Sequence, residues 1–261
     1  MSRPMILVSP AMAVPSRVYG TFSSELTAAG FDVRVVGRRG FEPGDAPASA
    51  SNDWSYHDEA ADIADAVAQI DAESPERRPI LLFGHSLGGQ LAAVLLSDPT
   101  SKAADRIDGL VTVAASIPHI AHYPPGYLAG DIARDVLRRT DVEGYWPAPG
   151  FGAPGAKTLM REWATMVLSG ALPGDHAARP IEIPTLAIRL HDDMFVSDSA
   201  AGAFEALVAP SYLSSWTYGP ADCPPNGSLD HIRWVKSPAP VVAHITDWWC
   251  APGPGCAETE S

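Results

Sequence analysis

Short apolar runs alternate with amphipathic helical patterns along most of the chain. Runs such as "MILV" (5–8) and "ILLF" (80–83) are continuously apolar. Between them, apolar residues recur every three or four positions, as in "DEAADIADAVAQI" (58–70), which predicts amphipathic helices. A half-exposed strand alternates apolar and polar residues, whereas a strand covered on both faces is apolar throughout. Strands that alternate with helices along the chain are typical of a parallel sheet. The pattern predicts an α/β fold with a mostly parallel central sheet and helices on both faces.

The alternation is interrupted once, after residue 116. Residues 117–180 are rich in aromatic residues, Pro and Gly, with only two helical pieces, before regular alternation resumes. We therefore predict a core domain formed by residues 1–116 and 181–261, and a mainly helical lid inserted at 117–180. The predicted strands cover 5–8, 31–37, 80–83, 109–116, 184–190 and 213–219, and the predicted helices cover 16–29, 58–70, 89–97, 131–139, 157–168, 200–207 and 240–249.

Composition and charge narrow the classes of partner. With 261 residues and 46% hydrophobic content, the chain is long enough for one large domain with a full core. A net charge of −13 argues against binding to nucleic acid or to an anionic membrane, since both need a basic surface. No signal peptide and no apolar run of about 20 residues is visible, which favours a cytoplasmic protein. The three cysteines have no metal-binding spacing, and neither a metal nor an organic cofactor is expected.

The sequence "FGHSLGG" (83–89) places Ser86 between two glycines, directly after a predicted buried strand and before a predicted helix. In such a turn the serine adopts a strained backbone conformation, and Gly84 and Gly88 let neighbouring backbone approach without a Cβ clash. The helix that follows favours negative charge at its N-terminus. The pattern favours Ser86 as a nucleophile over an incidental serine in a glycine-rich turn.

A serine needs a base, and the base needs a third group to orient it. "RLHDDMFVSDSA", after the fifth predicted strand, offers Asp192 and Asp193, and "GSLDHIRWV", after the last strand, offers His231. The order serine, acid, histidine is one of the known orders of such triads. The other histidines lie in helix, lid or loop contexts and lack this order, and His85 is fixed inside the turn beside Ser86.

These motifs together resemble the α/β-hydrolase superfamily over nearly the whole chain. "GHSLGGQ" resembles its nucleophile elbow, "DDMFVS" its acid turn and "DHIRW" its histidine loop. The chain is similar to predicted hydrolases of the serine-aminopeptidase-like and lysophospholipase-like branch, whose first loop reads much like "PAMAVPSRVY". By the spacing to Val196, the resemblance favours Asp193 over Asp192 as the acid that orients His231.

An oxyanion formed at this site needs two backbone N–H donors. One is expected from Leu87, which follows the nucleophile. For the other, the resemblance implies Met12 in the loop after the first strand, with Ala11 as the second choice. Pro10 stands in that loop where the superfamily more often has His-Gly, and it has no amide hydrogen to donate.

The expected function is hydrolysis of a carboxylic ester, or a related acyl bond, of a small and apolar molecule through an acyl-enzyme. Four aromatic residues of the insertion are candidates for lining the substrate pocket, although burial of the lid explains each of them equally well: Tyr123, Trp146, Phe151 and Trp163. The alternatives are a thioesterase for carrier- or CoA-linked acyl groups, and a lyase or cyclase using the same site. Docking an acidic carrier would need a basic patch, for which the candidates are Arg38, Arg39, Arg77 and Arg78. A pure ligand receptor is less consistent with a complete triad.

Overall fold

The six strands of the computed structural model form one parallel sheet. The structure describes residues 3–73, 76–147, 153–174 and 179–251. Within them the strand order is β2-β1-β3-β4-β5-β6, and every neighbouring pair is parallel. The predicted α/β architecture with a mostly parallel sheet is confirmed. The strands are β1 (Met5–Ser9), β2 (Asp32–Val35), β3 (Ile80–His85), β4 (Gly109–Val113), β5 (Thr185–Leu190) and β6 (Leu213–Tyr218).

Helices connect successive strands, as parallel pairing requires. The predicted helix at 16–29 begins as a 3-10 turn at Ser16–Tyr19, and the prediction for 58–70 is three residues short at its C-terminal end. No helix in the described ranges is long and apolar enough to cross a bilayer. The helices are α1 (Gly20–Ala28), α2 (Tyr56–Glu73), α3 (Leu87–Ser97), α4 (Ala129–Glu143), α5 (Lys157–Ser169), α6 (Asp198–Glu205) and α7 (Ala239–Cys250).

Alternate side chains of the central strands enter two separate hydrophobic clusters, one on each face of the sheet. Leu7 and Leu82 belong to the cluster that also holds the buried residues of α2, α3 and α5. Val8 and Phe83 belong to the second cluster, with residues of α1 and α7. Burial on both faces explains why these strands read as continuous apolar runs.

The segment between β4 and β5 carries α4 and α5, which pack against each other. Hydrogen bonds tie the start of α5 to the loop before α2: Thr158 N–H donates to Asp53 Oδ1 (2.8 Å), and Leu159 N–H donates to the Trp54 carbonyl (2.9 Å). Glu162 Oε2 accepts from the N–H of Tyr56 (2.7 Å). The segment between β4 and β5 is thereby fixed to the core beside the carboxyl ends of the strands.

Candidate active site

Ser86 occupies a sharp turn between β3 and α3. Its backbone torsions are φ 53° and ψ −113°, in a region that residues with a side chain rarely adopt. Holding such a conformation costs about 1–3 kcal/mol, which the surrounding structure must supply. The N–H of Ser86 donates to the Val113 carbonyl at 2.9 Å, which links the turn to the end of β4.

Glycines beside Ser86 allow an unusually close backbone approach. A Cβ on Gly88 would lie 2.0 Å from the carbonyl oxygen of Ser9, and a Cβ on Gly84 would lie 2.5 Å from Cα of Gly89. Neither space can hold a methyl group. The two glycines of the motif are therefore required by packing of α3 against β1 and β3, as the sequence predicts.

His231 lies between Ser86 and Asp193. Its Nε2 is 3.0 Å from Ser86 Oγ, and its Nδ1 is 2.6 Å from Asp193 Oδ2. Because the carboxylate can only accept, Nδ1 carries the proton and Nε2 of the neutral ring is left to accept from the serine hydroxyl. The other carboxylate oxygen accepts from the N–H of Phe195 (2.8 Å). The side chain of Asp193 is 2% exposed, so its charge acts on the imidazole with little screening by solvent.

Asp192 is turned away from this arrangement. Its backbone φ is 54°, and its side chain is 89% exposed and lies 3.3 Å from Nδ1 of His191. The structure brings Asp193, and not Asp192, to His231.

Met12 and Leu87 border one cavity beside the elbow. In the described parts of the chain neither of their backbone N–H groups has a hydrogen-bond acceptor. The N–H of Ala11, by contrast, already donates to the hydroxyl of Tyr19 at 2.8 Å. Two unpaired donors at one cavity are what an oxyanion site requires.

The cavity that contains these two donors is small and mainly apolar. Its volume is about 20 Å³, enough for one water molecule. Its lining includes Met12, Arg38 and Leu87, together with Ala156, Leu159 and Met160 of the segment between β4 and β5. The only charged lining residues in the described ranges are Arg38 and Glu59.

Arg38 and Glu59 form an ion pair inside the protein, with side chains 4% and 3% exposed. Nη1 of Arg38 donates to Glu59, and Nη2 donates to the carbonyl of Pro10 in the loop after β1. Trp54 Nε1 donates to the other Glu59 oxygen at 3.0 Å. Burial lowers the pKa of Arg38 to about 10, which still leaves it charged at neutral pH.

The aromatic residues predicted to line the pocket make other contacts, as far as the structure describes them. Tyr123 donates its hydroxyl to the Phe195 carbonyl (2.8 Å). Trp146 is buried in the core and pairs through its backbone with Gly155, while Trp163 is partly buried against the same core. Phe151 lies outside the described residues. None of the three described aromatic residues lines the cavity beside Met12.

The four arginines considered for carrier docking do not form a free basic patch. Arg38 is buried, and each of the other three has an acidic partner close by. The ion pairs are Arg38–Glu59, Arg39–Asp62, Arg77–Asp108 and Arg78–Asp32. The described ranges also contain no cluster of three or more His, Cys, Asp or Glu side chains able to hold a metal ion.

Sequence reasoning placed His85 inside the elbow beside Ser86, but it missed Tyr19 and Glu59, which are also buried beneath the site. Tyr19 and His85 are fully buried and hydrogen-bonded to each other at 2.8 Å, and Glu59 pairs with Arg38 across 21 residues of sequence. Tyr19 and Glu59 sit in ordinary helical patterns, and nothing in those patterns marks them as buried polar groups. A large residue such as Leu159 or Met160 in the insertion likewise has no local signal that distinguishes pocket from core.

Known enzymes share the fold of this chain. The fold and the enzyme class are those of an α/β-hydrolase. A family model described as serine aminopeptidase, S33, matches residues 2–145, and the chain belongs to this family. The match covers Ser86, Met12 and Leu87, whereas Asp193 and His231 lie beyond it. No curated protein matches the sequence.

Solved structures with the same fold cover nearly the whole chain. A structure from the pair LipS and LipT, two metagenome-derived lipolytic enzymes, is 15% identical with a TM-score of 0.65, covering 94% of this chain and 92% of that one. A thermophilic esterase from Thermogutta terrifontis is 18% identical with a TM-score of 0.62, covering 95% and 89%. The pyrethroid hydrolase PytH is 20% identical with a TM-score of 0.61, covering 97% and 99%. At these identities the likeness establishes the fold.

Proposed function

We propose that the protein is a serine hydrolase that cleaves a carboxylic ester of a small, apolar molecule through an acyl-enzyme. One observation carries the proposal: a continuous hydrogen-bonded path runs from Ser86 Oγ through His231 to a buried Asp193, with the serine on a strained elbow. A histidine with a purely structural role does not require a serine hydroxyl 3.0 Å from Nε2 together with a buried carboxylate at Nδ1.

The reaction follows from the donor and acceptor roles. Ser86 Oγ attacks the ester carbonyl carbon while Nε2 of His231 takes the hydroxyl proton, and Asp193 stabilises the imidazolium without taking a proton itself. Collapse of the tetrahedral intermediate breaks the bond to the alkoxy oxygen, which leaves as the alcohol with the proton from Nε2. Water then attacks the acyl-enzyme by the same steps in reverse, releasing the acid and restoring the serine.

The backbone amides of Met12 and Leu87 are proposed to stabilise the oxyanion. Both amides lack an acceptor among the described residues, and both border one cavity. Ala11, the second choice from the sequence, is already engaged with Tyr19. A single such donor contributes a factor of about 10² to 10³ in kcat in serine hydrolases.

The apolar lining supports a hydrocarbon-rich acyl group. Leu159 and Met160, from the segment between β4 and β5, line the same cavity as Leu87, which is why we propose that residues 117–180 act as a lid over the strand ends. At about 20 Å³ the cavity admits an acyl chain only after flexible side chains such as Met12 and Met160 move. The structural neighbours described as lipolytic enzymes, an esterase and a pyrethroid hydrolase are compatible with this class of substrate.

The proposed partner is therefore a small-molecule acyl substrate, with no nucleic acid and no membrane. Thioesterase action on a carrier protein is disfavoured because its candidate docking arginines are buried or paired. Lyase or cyclase chemistry at the same serine and histidine would proceed without a covalent acyl intermediate, so a test for that intermediate separates it from hydrolysis.

The test is the intact mass of the protein after treatment with a fluorophosphonate probe. We expect a single adduct on the wild type and on a Ser24→Ala control, whose serine lies exposed on α1, and no adduct on Ser86→Ala. Acyl esters of increasing chain length, with the matching thioesters, then define the leaving group and acyl preference. Absence of an adduct on folded wild-type protein across the pH range in which histidine titrates would refute the acyl-enzyme mechanism.

A further inference from the structure

One buried hydrogen-bond chain joins three of the four loops that carry the groups proposed for catalysis. The loops are the oxyanion loop (10–13), the elbow (84–88) and the histidine loop (228–232). The chain consists of the Tyr19 hydroxyl and the His85 imidazole, both fully buried. Neither side chain reaches the reacting atoms, and neither has a role in the mechanism above.

The hydrogen-bond directions are fixed by the groups at the ends of the chain. His85 Nε2 lies 2.7 Å from the carbonyl oxygen of His231, and because a carbonyl only accepts, Nε2 must carry the proton. His85 Nδ1 is then the acceptor for the Tyr19 hydroxyl at 2.8 Å. The Tyr19 oxygen in turn accepts from the N–H of Ala11 at 2.8 Å. Trp234 Nε1, 3.3 Å from Nε2, is a packing neighbour in this arrangement.

Each point of this hydrogen-bond chain on a loop lies within one residue of a proposed catalytic group. Ala11 precedes Met12, His85 precedes Ser86, and the carbonyl belongs to His231 itself. A displacement of about 1 Å in a reacting group costs about a hundredfold in rate. Hydrogen bonds at these points therefore affect the rate more than equivalent hydrogen bonds elsewhere in the core.

Packing holds the two polar side chains in a rigid environment. The Tyr19 and His85 rings meet edge to face with centroids 5.9 Å apart, and the Trp234 ring lies 5.4 Å from His85. Burial, followed by the proximity of His231, lowers the pKa of His85 to about 3, so its ring stays neutral at neutral pH. Nε2 therefore remains the donor and Nδ1 the acceptor while His231 gains and loses a proton.

We propose that Tyr19 and His85 are positioning residues, forming a relay that holds the oxyanion loop, the elbow and the histidine loop in their reactive alignment. The inference rests on the proposed function, because the relay is assigned to the alignment of Ser86, His231 and the Met12 amide. A purely structural role would make the two residues contribute to stability alone.

Three substitutions cut the relay at different points. Tyr19→Phe keeps the ring and removes the hydroxyl, leaving the Ala11 N–H and His85 Nδ1 unpaired. His85→Asn keeps an acceptor at the position of Nδ1 and loses the bond to the His231 carbonyl. His85→Gln keeps a donor at the position of Nε2 and loses the bond to Tyr19. Tyr218→Phe controls for removing a buried tyrosine hydroxyl, since Tyr218 is a fully buried residue of the same hydrophobic cluster and its hydroxyl has no hydrogen-bond partner among the described residues.

The experiment compares the rate of fluorophosphonate labelling and the steady-state kcat and KM of each variant, well below its midpoint of thermal unfolding. We expect Tyr19→Phe and His85→Asn to lose about 10- to 100-fold in kcat and in labelling rate with KM unchanged. The Tyr218→Phe control should keep the wild-type rates even where its unfolding midpoint falls. If the His85 variants do not fold, Tyr19→Phe, which leaves both rings in place, decides the question.

A spectroscopic readout separates alignment from general stability. The proton shared by His231 Nδ1 and Asp193 should give a low-field proton resonance because that contact is only 2.6 Å long. We expect this resonance to shift in His85→Asn, which frees the His231 carbonyl, and to stay in place in Tyr218→Phe.

Each outcome is decisive. Wild-type rates in folded Tyr19→Phe and His85→Asn, or losses matched by the Tyr218→Phe control, would overturn the relay and leave the proposed function intact. Failure of the wild type to label at Ser86, in contrast, removes the proposed function itself and with it the catalytic meaning of the relay.

Discussion

Glu59→Gln would remove the negative half of the ion pair beneath the oxyanion loop while preserving side-chain shape. The amide oxygen of glutamine can still accept from Trp54 Nε1, whose bond to Glu59 is 3.0 Å long. Arg38 would be left as a cation in a site where its side chain is 4% exposed. The substitution therefore isolates the electrostatic cost of an unpaired buried charge.

The magnitude of this cost depends on whether Arg38 keeps or loses its proton. Removing one partner from a buried ion pair costs about 3–5 kcal/mol. Arg38 can also escape by losing its proton. From the wild-type pKa of about 10, deprotonation at pH 7 costs at most roughly 4 kcal/mol, at about 1.4 kcal/mol per pH unit, because loss of the Glu59 charge lowers that pKa further. The expected loss is thus about 3–4 kcal/mol, a large part of the roughly 5–15 kcal/mol that stabilises a typical domain.

Urea unfolding followed by circular dichroism measures the free energy of unfolding for each variant. The matched control is Asp62→Asn in the neighbouring pair with Arg39, whose side chains are 27% and 39% exposed, and it should cost under about 1 kcal/mol. In the double variant Arg38→Met/Glu59→Gln the buried charge is gone. The remaining penalty, about 1–3 kcal/mol, should come from the Pro10 carbonyl that loses its donor.

A Glu59→Gln variant that loses no more free energy of unfolding than the exposed Asp62→Asn control would refute this prediction. That result would mean that water reaches the pair in solution and that Arg38 is not desolvated. A double variant less stable than Glu59→Gln would equally contradict the argument, because adding Arg38→Met removes the unpaired charge.

Three further predictions concern the elbow and its partners. Asp193→Asn should lower kcat for ester hydrolysis by about 10³- to 10⁴-fold, since it removes the charge that stabilises the imidazolium, and a loss under tenfold would contradict the assigned role. Ser86→Gly should have a free energy of unfolding in urea about 1 kcal/mol or more above that of Ser86→Ala, because glycine accepts the φ of 53° without strain. Equal free energies would show that no strain is stored at this residue. Burial lowers the pKa of His85 from an ordinary 6.5 to about 3. Between these two pH values the imidazole binds a proton in the unfolded chain but not in the folded protein. The free energy of unfolding therefore falls as the pH falls, by up to about 1.4 kcal/mol per pH unit. His85→Gln should lose that share of the acid sensitivity in unfolding measured from pH 7 to pH 4, whereas an unchanged slope would argue against a neutral buried imidazole.

The sequence was sufficient for the features that local patterns determine. Continuous apolar runs predict strands covered on both faces, and the structure has them in one parallel sheet. The glycines around Ser86 predict a tight turn, because the backbone contacts at Gly84 and Gly88 leave no room for a Cβ. Chain order placed the acid and the histidine after later strands, and the carboxyl ends of parallel strands meet at one edge of the sheet.

Tertiary packing alone decided which side chains support and line the site. Tyr19 and His85 are 66 residues apart, and Leu159 reaches the cavity from the inserted segment. Such contacts depend on how elements pack, which neither composition nor periodicity encodes. The choice between neighbouring aspartates shows the same limit. The resemblance favoured Asp193, but only the folded loop shows that the Asp192 side chain is 89% exposed while the next carboxylate contacts His231.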